Sequence, residues 1–494
     1  MLSLLSGLAL LAISFLLLKL GTFCWDRSCL PPGPLPFPIL GNLWQLCFQL
    51  HPETLLQLAQ SVFTVWVGPI PVAVLSGFQV VKEALVSNSE QFSGRSLTPL
   101  FQDLFGERGR AAPPAGEGEA ARWSLHSGRL GLGKLALEVQ LQKEAAELAE
   151  AFRQEQGRPF DPQVSIVRST VRVIGALVFG HHFLLEDPIF QELTQAIDFG
   201  LAFVSTVWRR LYDVFPWALC HLPGPHQEIF RYQEVVLSLI HQEITRHKLR
   251  APEAPRDFIS CYLAQISKVS LEQLLRKGGA IFLGCTSFLS TSFLSHGLSF
   301  SSLTLSTSFQ STLKMNPPQT HTKPPAETVQ LELDEVLGAA PVVCYEDRKR
   351  LPYTAVLHDV QRLSSVMAMG AVRQCVTSTR VCSYPVSKGT IILPNLASVL
   401  YDPECWETPR QFNPGHFSDK DGNFVANEAF LPFSAGHRVY PADQLAQMEL
   451  FLMFATLLRT FRFQLPEGSP GLKLEYIFGG TWQPQPQEIC AVPR

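Results

Sequence analysis

Apolar residues recur at helical spacing along much of the chain. Leu141, Ala145, Leu148 and Phe152 share one face, and their spacing predicts a helix over 135–154. Further helices are expected at 164–179, 188–203, 227–247, 270–282, 327–338, 351–363 and 441–461, the last of them apolar almost throughout. A shorter helix is expected over 78–86. Strand signals are fewer. Residues 63–75 alternate weakly around Gly68-Pro69, the pattern of a hairpin of two short strands. Lys388-Gly389-Thr390 opens another strand at 391–393. The balance is mainly α with small β-sheets.

The pattern breaks twice. Residues 1–18 hold only Ser and Gly among apolar residues; Lys19 follows, and the chain is apolar again to Trp25. That is near the ~20 residues a bilayer-spanning helix requires, so 1–25 is expected to be a membrane anchor. A cleaved signal peptide would want a positive n-region and a small-residue cleavage site, but the first cation is Lys19, after the apolar run. Lys19 and Arg27 on the C-terminal side put the body of the chain on the cytosolic face, at the endoplasmic reticulum. In the segment 26–50, Pro31, Pro32, Pro34, Pro36 and Pro38 fix φ and remove donors, which makes a stiff extended connector. The body is then 51–494. Its second break is 283–325, rich in Ser and Thr and ending in MNPPQTHTKPPAE. Ser and Thr compete with helix by bonding local backbone, so 303–325 is expected to be irregular. The first half is either loop or the continuation of a helix from Ala280.

Composition narrows the class. Of 494 residues 46% are apolar and 17% charged, which suits a large core and not disorder. A net charge of −3 gives no nucleic-acid footprint. Eleven cysteines are scattered without a CxxC pair or metal spacing, as reduced thiols of a cytosol-facing protein are.

Candidate chemistry lies in the C-terminal third. Asp359 and Arg362 fall one helical turn apart and on one face. Alone, such a pair is common and of little energetic weight. FNPGHF follows, ending in His416 and Phe417, and then FSAGHRVYPA from Phe433 to Ala442. In that order these segments resemble the cytochrome P450 family, close to its microsomal family 2. Asp359-Val360-Gln361-Arg362 takes the place of Glu-x-x-Arg, and Asp359, Arg362 and His416 that of a buried network behind the haem. LPGPHQEIF from Leu222 and KGTIILPNLASVLYDPECW from Lys388 also match.

The resemblance implies a haem monooxygenase of lipophilic small molecules at the endoplasmic reticulum membrane, with electrons from NADPH through a flavoprotein reductase. It assigns the haem loop to Phe433, Gly436 and Arg438, with Arg438 on a propionate. Arg122, Trp123 and Arg373 are further propionate partners or, for the two arginines, surface cations. Four features depart from the pattern. The iron-ligand Cys is Tyr440, and the closing Gly is Ala442. The oxygen-side helix, which should carry an acid before its alcohol, reads Gly284-Cys285-Thr286-Ser287, so Thr286 replaces the acid and Ser287 supplies a hydroxyl. The 283–325 insert follows at once. A phenolate lacks the electron push of a thiolate. The expectation is therefore an impaired monooxygenase. The alternatives are a haem protein with Tyr440 as ligand and peroxidase- or isomerase-like chemistry, and a non-catalytic relative; Tyr440 equally suits plain core packing.

Overall fold

A computed structural model describes residues 30–46, 52–94, 98–105, 134–180, 187–249, 257, 259–260, 263 and 325–494, less positions 38–39, 59, 205, 352–354, 422, 441–442, 470–475 and 479–480. The expected anchor, the expected helix at 270–282 and nearly all of the insert lie outside these residues.

The hairpin forms where the alternation placed it. Strands β1 (Val62–Val67) and β2 (Ile70–Leu75) pair antiparallel, Val67 opposite Ile70. Gly68 takes the positive φ of +60° that a two-residue turn demands. β2 is a centre strand because β6 (Ile391–Pro394, below) pairs with it in parallel. The Pro-rich segment is extended as expected, but it is no free connector. Pro32 O accepts the Thr64 N–H at 3.0 Å, and Asn42 Oδ1 accepts the Trp66 N–H at 2.8 Å. A Cβ on Gly33 would lie 2.0 Å from Thr64 O, so only glycine permits that approach.

Helix α1 (Phe78–Lys82) runs into a π-helical turn at Glu83–Ser87, and α2 spans Pro99–Phe105. α3 (Lys134–Gln154) and α4 (Pro162–Phe179) follow. Asp161 caps α4 by accepting the Gln163 N–H, and Gly180 ends it at φ +71°. α5 is Pro188–Val204, α6 Val207–Val214, α7 Pro216–Leu219, α8 His226–Leu249 and α9 Pro325–Leu337. The insert therefore ends before Pro325, because a proline's missing N–H and fixed φ suit the first helical position.

α10 covers Ala355–Ser364. Leu351 is not helical; it closes a 3₁₀ turn at Tyr345–Arg350. Strands β3 (Arg373–Gln374), β4 (Thr379–Val381), β5 (Tyr384–Val386) and β6 (Ile391–Pro394) then lead to α11 (Leu396–Leu400). The main sheet has the order β1-β2-β6-β3. α12 is Asp443–Thr460; Phe461 does not extend it but starts β7 (Phe461–Gln464). Strands β8 (Tyr476–Phe478), β9 (Trp482–Pro484) and β10 (Cys490–Pro493) follow, and β10 pairs with β7. The strands are short, and the fold is mainly helical with small sheets.

The core sits where α3 meets α12. Leu141, Ala145, Leu148 and Phe152 are buried along one face of α3. α12 is buried on nearly every side from Met448 to Leu458, as an all-round apolar helix must be. Phe152 packs edge-on against Phe160 at 4.9 Å. Burial of one such ring contributes about 1.5–3 kcal/mol. Among the described residues α4 alone is long and apolar enough to cross a membrane, and over half of its span is buried in this core.

Candidate functional site

α10 brings Asp359 and Arg362 inward together, and both are fully buried. Arg362 Nε donates to Asp359 Oδ1 at 2.6 Å. Its two terminal nitrogens donate to the carbonyls of Leu400, Pro409 and Gln411 at 3.1, 2.5 and 2.7 Å. Asp359 Oδ2 accepts the Asn413 N–H at 2.5 Å, and His416 Nδ1 lies 2.9 Å from Asp359 Oδ1. The Thr408 N–H points at His416 Nε2 from 3.2 Å. A backbone N–H only donates, so Nε2 accepts and the neutral ring carries its proton on Nδ1, toward the carboxylate. Asp in place of Glu still closes the network, since one buried cation and one buried anion share a fully bonded cluster. The Arg362 guanidinium also lies 5.1 Å from the Trp406 ring.

His358 precedes this pair and was missed in the sequence. It sits among Phe417, Phe424 and Phe430, with ring centroids at 5.5, 4.8 and 5.4 Å. Burial in this aromatic cage, with the Arg348 charge nearby, pulls its pKa down to about 4. Only its adjacency to Asp359 on a helix hinted at burial.

The loop before α12 keeps the geometry that its glycine promised. Ser434 and Gly436 have φ of +66° and +73°. Gly436 lies against the π turn, where a Cβ would fall 1.7 Å from Leu85 O. Gly436–Arg438 forms a 3₁₀ turn, and the Tyr440 N–H closes the loop on Phe433 O at 3.0 Å. Arg373 is 1% exposed, which removes the surface-cation reading. Its Nη2 donates to Ser434 Oγ at 2.8 Å and to Ala435 O at 3.2 Å, holding the loop from β3.

Tyr440 stacks on Phe433 with centroids 6.0 Å apart and planes at 16°. Val366, Met367 and Ala446 complete this cluster. Burial raises the phenol pKa well above its ordinary 10, and the Glu449 and Asp443 carboxyls add to the rise. The group is held neutral. Of the remaining expected site residues, the Arg438 side chain and Arg122, Trp123, Thr286, Ser287 and Ala442 lie outside the described residues.

These surroundings bear on a haem. An iron of the thiolate class needs an anionic sulfur at this loop, and the loop offers a neutral phenol among apolar side chains. An anionic phenolate is disfavoured by the same burial and the same two acids. The loop backbone and Arg373 suit the family's cradle; the residue at the ligand position does not fit its iron.

Comparison with known proteins agrees with the motif order. The family model described as Cytochrome P450 matches residues 31–298 and 320–491, passing over 299–319 within the Ser/Thr-rich segment. Human (Homo sapiens) Cytochrome P450 2F1 is 35% identical over 99% of this chain and 98% of its own length. Cytochrome P450 2F3 of Capra hircus is 34% identical over 99% of both chains. Cytochrome P450 2C23 of Rattus norvegicus is 34% identical over 97% of this chain and 96% of its own. The chain belongs to the cytochrome P450 family, a family of haem monooxygenases, and is of the microsomal family 2 type.

Proposed function

We propose that this cytochrome P450 keeps the family's scaffold while its monooxygenase chemistry is impaired at the iron-ligand position. The observation that carries this reading is Tyr440, a neutral phenol stacked on Phe433 where the family's motif register places a thiolate. Thr286, in place of the oxygen-side acid, supports it from sequence alone. We place the chain at the cytosolic face of the endoplasmic reticulum membrane on a single N-terminal anchor over 1–25. Its reductase and a lipophilic small molecule remain its expected partners. Of the two alternatives, the non-catalytic relative is favoured over tyrosinate ligation, because the burial that surrounds the phenol opposes its ionisation.

The test is a spectrum followed by turnover. Purified full-length protein, reduced under carbon monoxide, is expected to lack the red-shifted Soret band of a ferrous thiolate complex. Turnover with reductase and NADPH is expected at background. Tyr440→Cys is expected to recover part of the band if the rest of the cradle is intact. A thiolate-type band from the unmodified chain would show that another cysteine reaches the iron and would overturn the reading.

A further inference from the structure

The Tyr440 ring joins three separate segments. It stacks on Phe433 of its own loop and shares one apolar cluster with Val366 and Met367, which follow α10, and with Ala446 of α12. Val366 is itself tied down, because its carbonyl accepts the Trp482 N–H of β9 at 2.9 Å. The loop closes through its own backbone. Ser434 N–H donates to Leu431 O at 3.1 Å, Val439 N–H to Gly436 O at 3.0 Å and Tyr440 N–H to Phe433 O at 3.0 Å. From outside, Gly436 rests against Leu85 O. Arg373, which the family resemblance assigns to a propionate, donates from Nη2 to Ser434 and Ala435 and so braces protein against protein.

We infer that the chain folds as a haem-free protein, with the Phe433–Tyr440 ring pair serving as the core of this loop in the cofactor's stead. Aromatic rings suit that part, since they bury a large area and gain from stacking on one another. Iron ligation would need the phenol ionised inside this cluster, where burial and the Glu449 and Asp443 carboxyls oppose the charge. The inference rests on the reading that Tyr440 stands at the ligand position, and it goes further. Impaired chemistry needs only a wrong ligand; a loop filled by its own side chains gives haem no part in folding.

Full-length protein is produced with and without a supply of haem, purified in detergent and titrated with hemin. The unmodified chain is expected to carry no haem absorbance and to melt at one temperature from both preparations. A ligand that binds only the folded state raises its melting temperature, so hemin is expected to cause no such rise and no saturable Soret change. Tyr440→Phe keeps the ring and is expected to match the unmodified chain in both respects. Tyr440→Ala deletes the ring and is expected to melt lower or fail to fold; an unchanged melting temperature would remove the ring from the core and refute the inference. Stoichiometric haem in the unmodified chain with a spectrum other than the thiolate type would overturn it too, while leaving the impaired chemistry standing. A thiolate-type spectrum would overturn both. A chain that folds only when haem is supplied would contradict the inference outright.

Discussion

The cluster around Asp359 and the loop from Phe433 to Tyr440 are held together by different means. Around Asp359, a shortened acid still meets Arg362, His416 and the Asn413 amide, and the Arg362 guanidinium still reaches three carbonyls. Around Tyr440, the backbone turn, Gly436 and the Arg373 clamp hold the loop, and the side chain at the proposed ligand position stacks on Phe433. The first region is maintained by the cost of leaving buried charges unpaired. The second needs only shape to keep folding. On the proposed reading, a neutral phenol at the ligand position leaves no charge unpaired there, so packing does not oppose the exchange. On that reading, scaffold and chemistry separate for an energetic reason.

The largest expected effect tests the first half of this contrast. Arg362→Met removes the partner of a fully buried carboxylate and deprives three carbonyls of donors. Breaking such a pair from one side costs about 3–5 kcal/mol. Urea unfolding of the full-length protein in detergent should show that loss or failure to fold. A cost under about 1 kcal/mol would mean that the network is not what holds α10 to the 400–416 segment.

His358 sharpens the comparison through pH. Its folded-state pKa is lowered to about 4 from an ordinary 6.5. The neutral ring is thus preferred in the cage, and its contribution is fully present above pH 6.5. It is lost as pH falls from 6.5 toward 4, where the unfolded chain takes up the proton first. The shift corresponds to at most about 3 kcal/mol. Stability of the unmodified protein should fall across that window relative to His358→Phe, whose ring fills the same cage. Parallel pH profiles for the two proteins would show that His358 is already solvated.

How much of this was legible in the sequence follows the same division. Periodicity located the long helices among the described residues, because a buried face repeats every few residues, but not the short ones at Pro99–Phe105, Val207–Val214 and Leu396–Leu400; Gly68-Pro69 located the hairpin. It did not show that the helix begun at Phe78 gives way to a π turn, since Glu83 to Ser87 carries an ordinary helical pattern. Nor did it stop the last helix at Thr460, because Phe461 is as apolar as its neighbours and only its pairing with Pro493 makes it strand. Asp359, Arg362 and His416 were legible as a network only through the family resemblance of the segments that carry them. The burial of Arg373 and the caging of His358 were not, because each depends on residues some 60 positions distant.

Gly436→Ala tests whether the loop is held by shape. The added Cβ meets Leu85 O, a backbone atom that cannot rotate away, and the residue keeps a positive φ. Together these should cost about 2–3 kcal/mol. Denaturation should show that loss, with protease sensitivity rising between Phe433 and Tyr440. An unchanged midpoint would mean that the loop does not rest on the π turn.

Tyr440→Phe is expected to have the smallest effect, and it decides most directly between packing and ligation. The ring would keep its stacking on Phe433 and its contacts with Val366, Met367 and Ala446, losing only a hydroxyl held neutral by its surroundings. Stability should change by less than about 1 kcal/mol, near the scale of one ordinary hydrogen bond. Any absorbance of protein supplied with haem should be unchanged. If Tyr440 instead bound iron as a phenolate, the phenylalanine could not replace it, and the Soret and charge-transfer bands of the unmodified protein would shift or vanish. A spectral change with unaltered stability would therefore refute packing and establish ligation, and no change in either would leave Tyr440 as core.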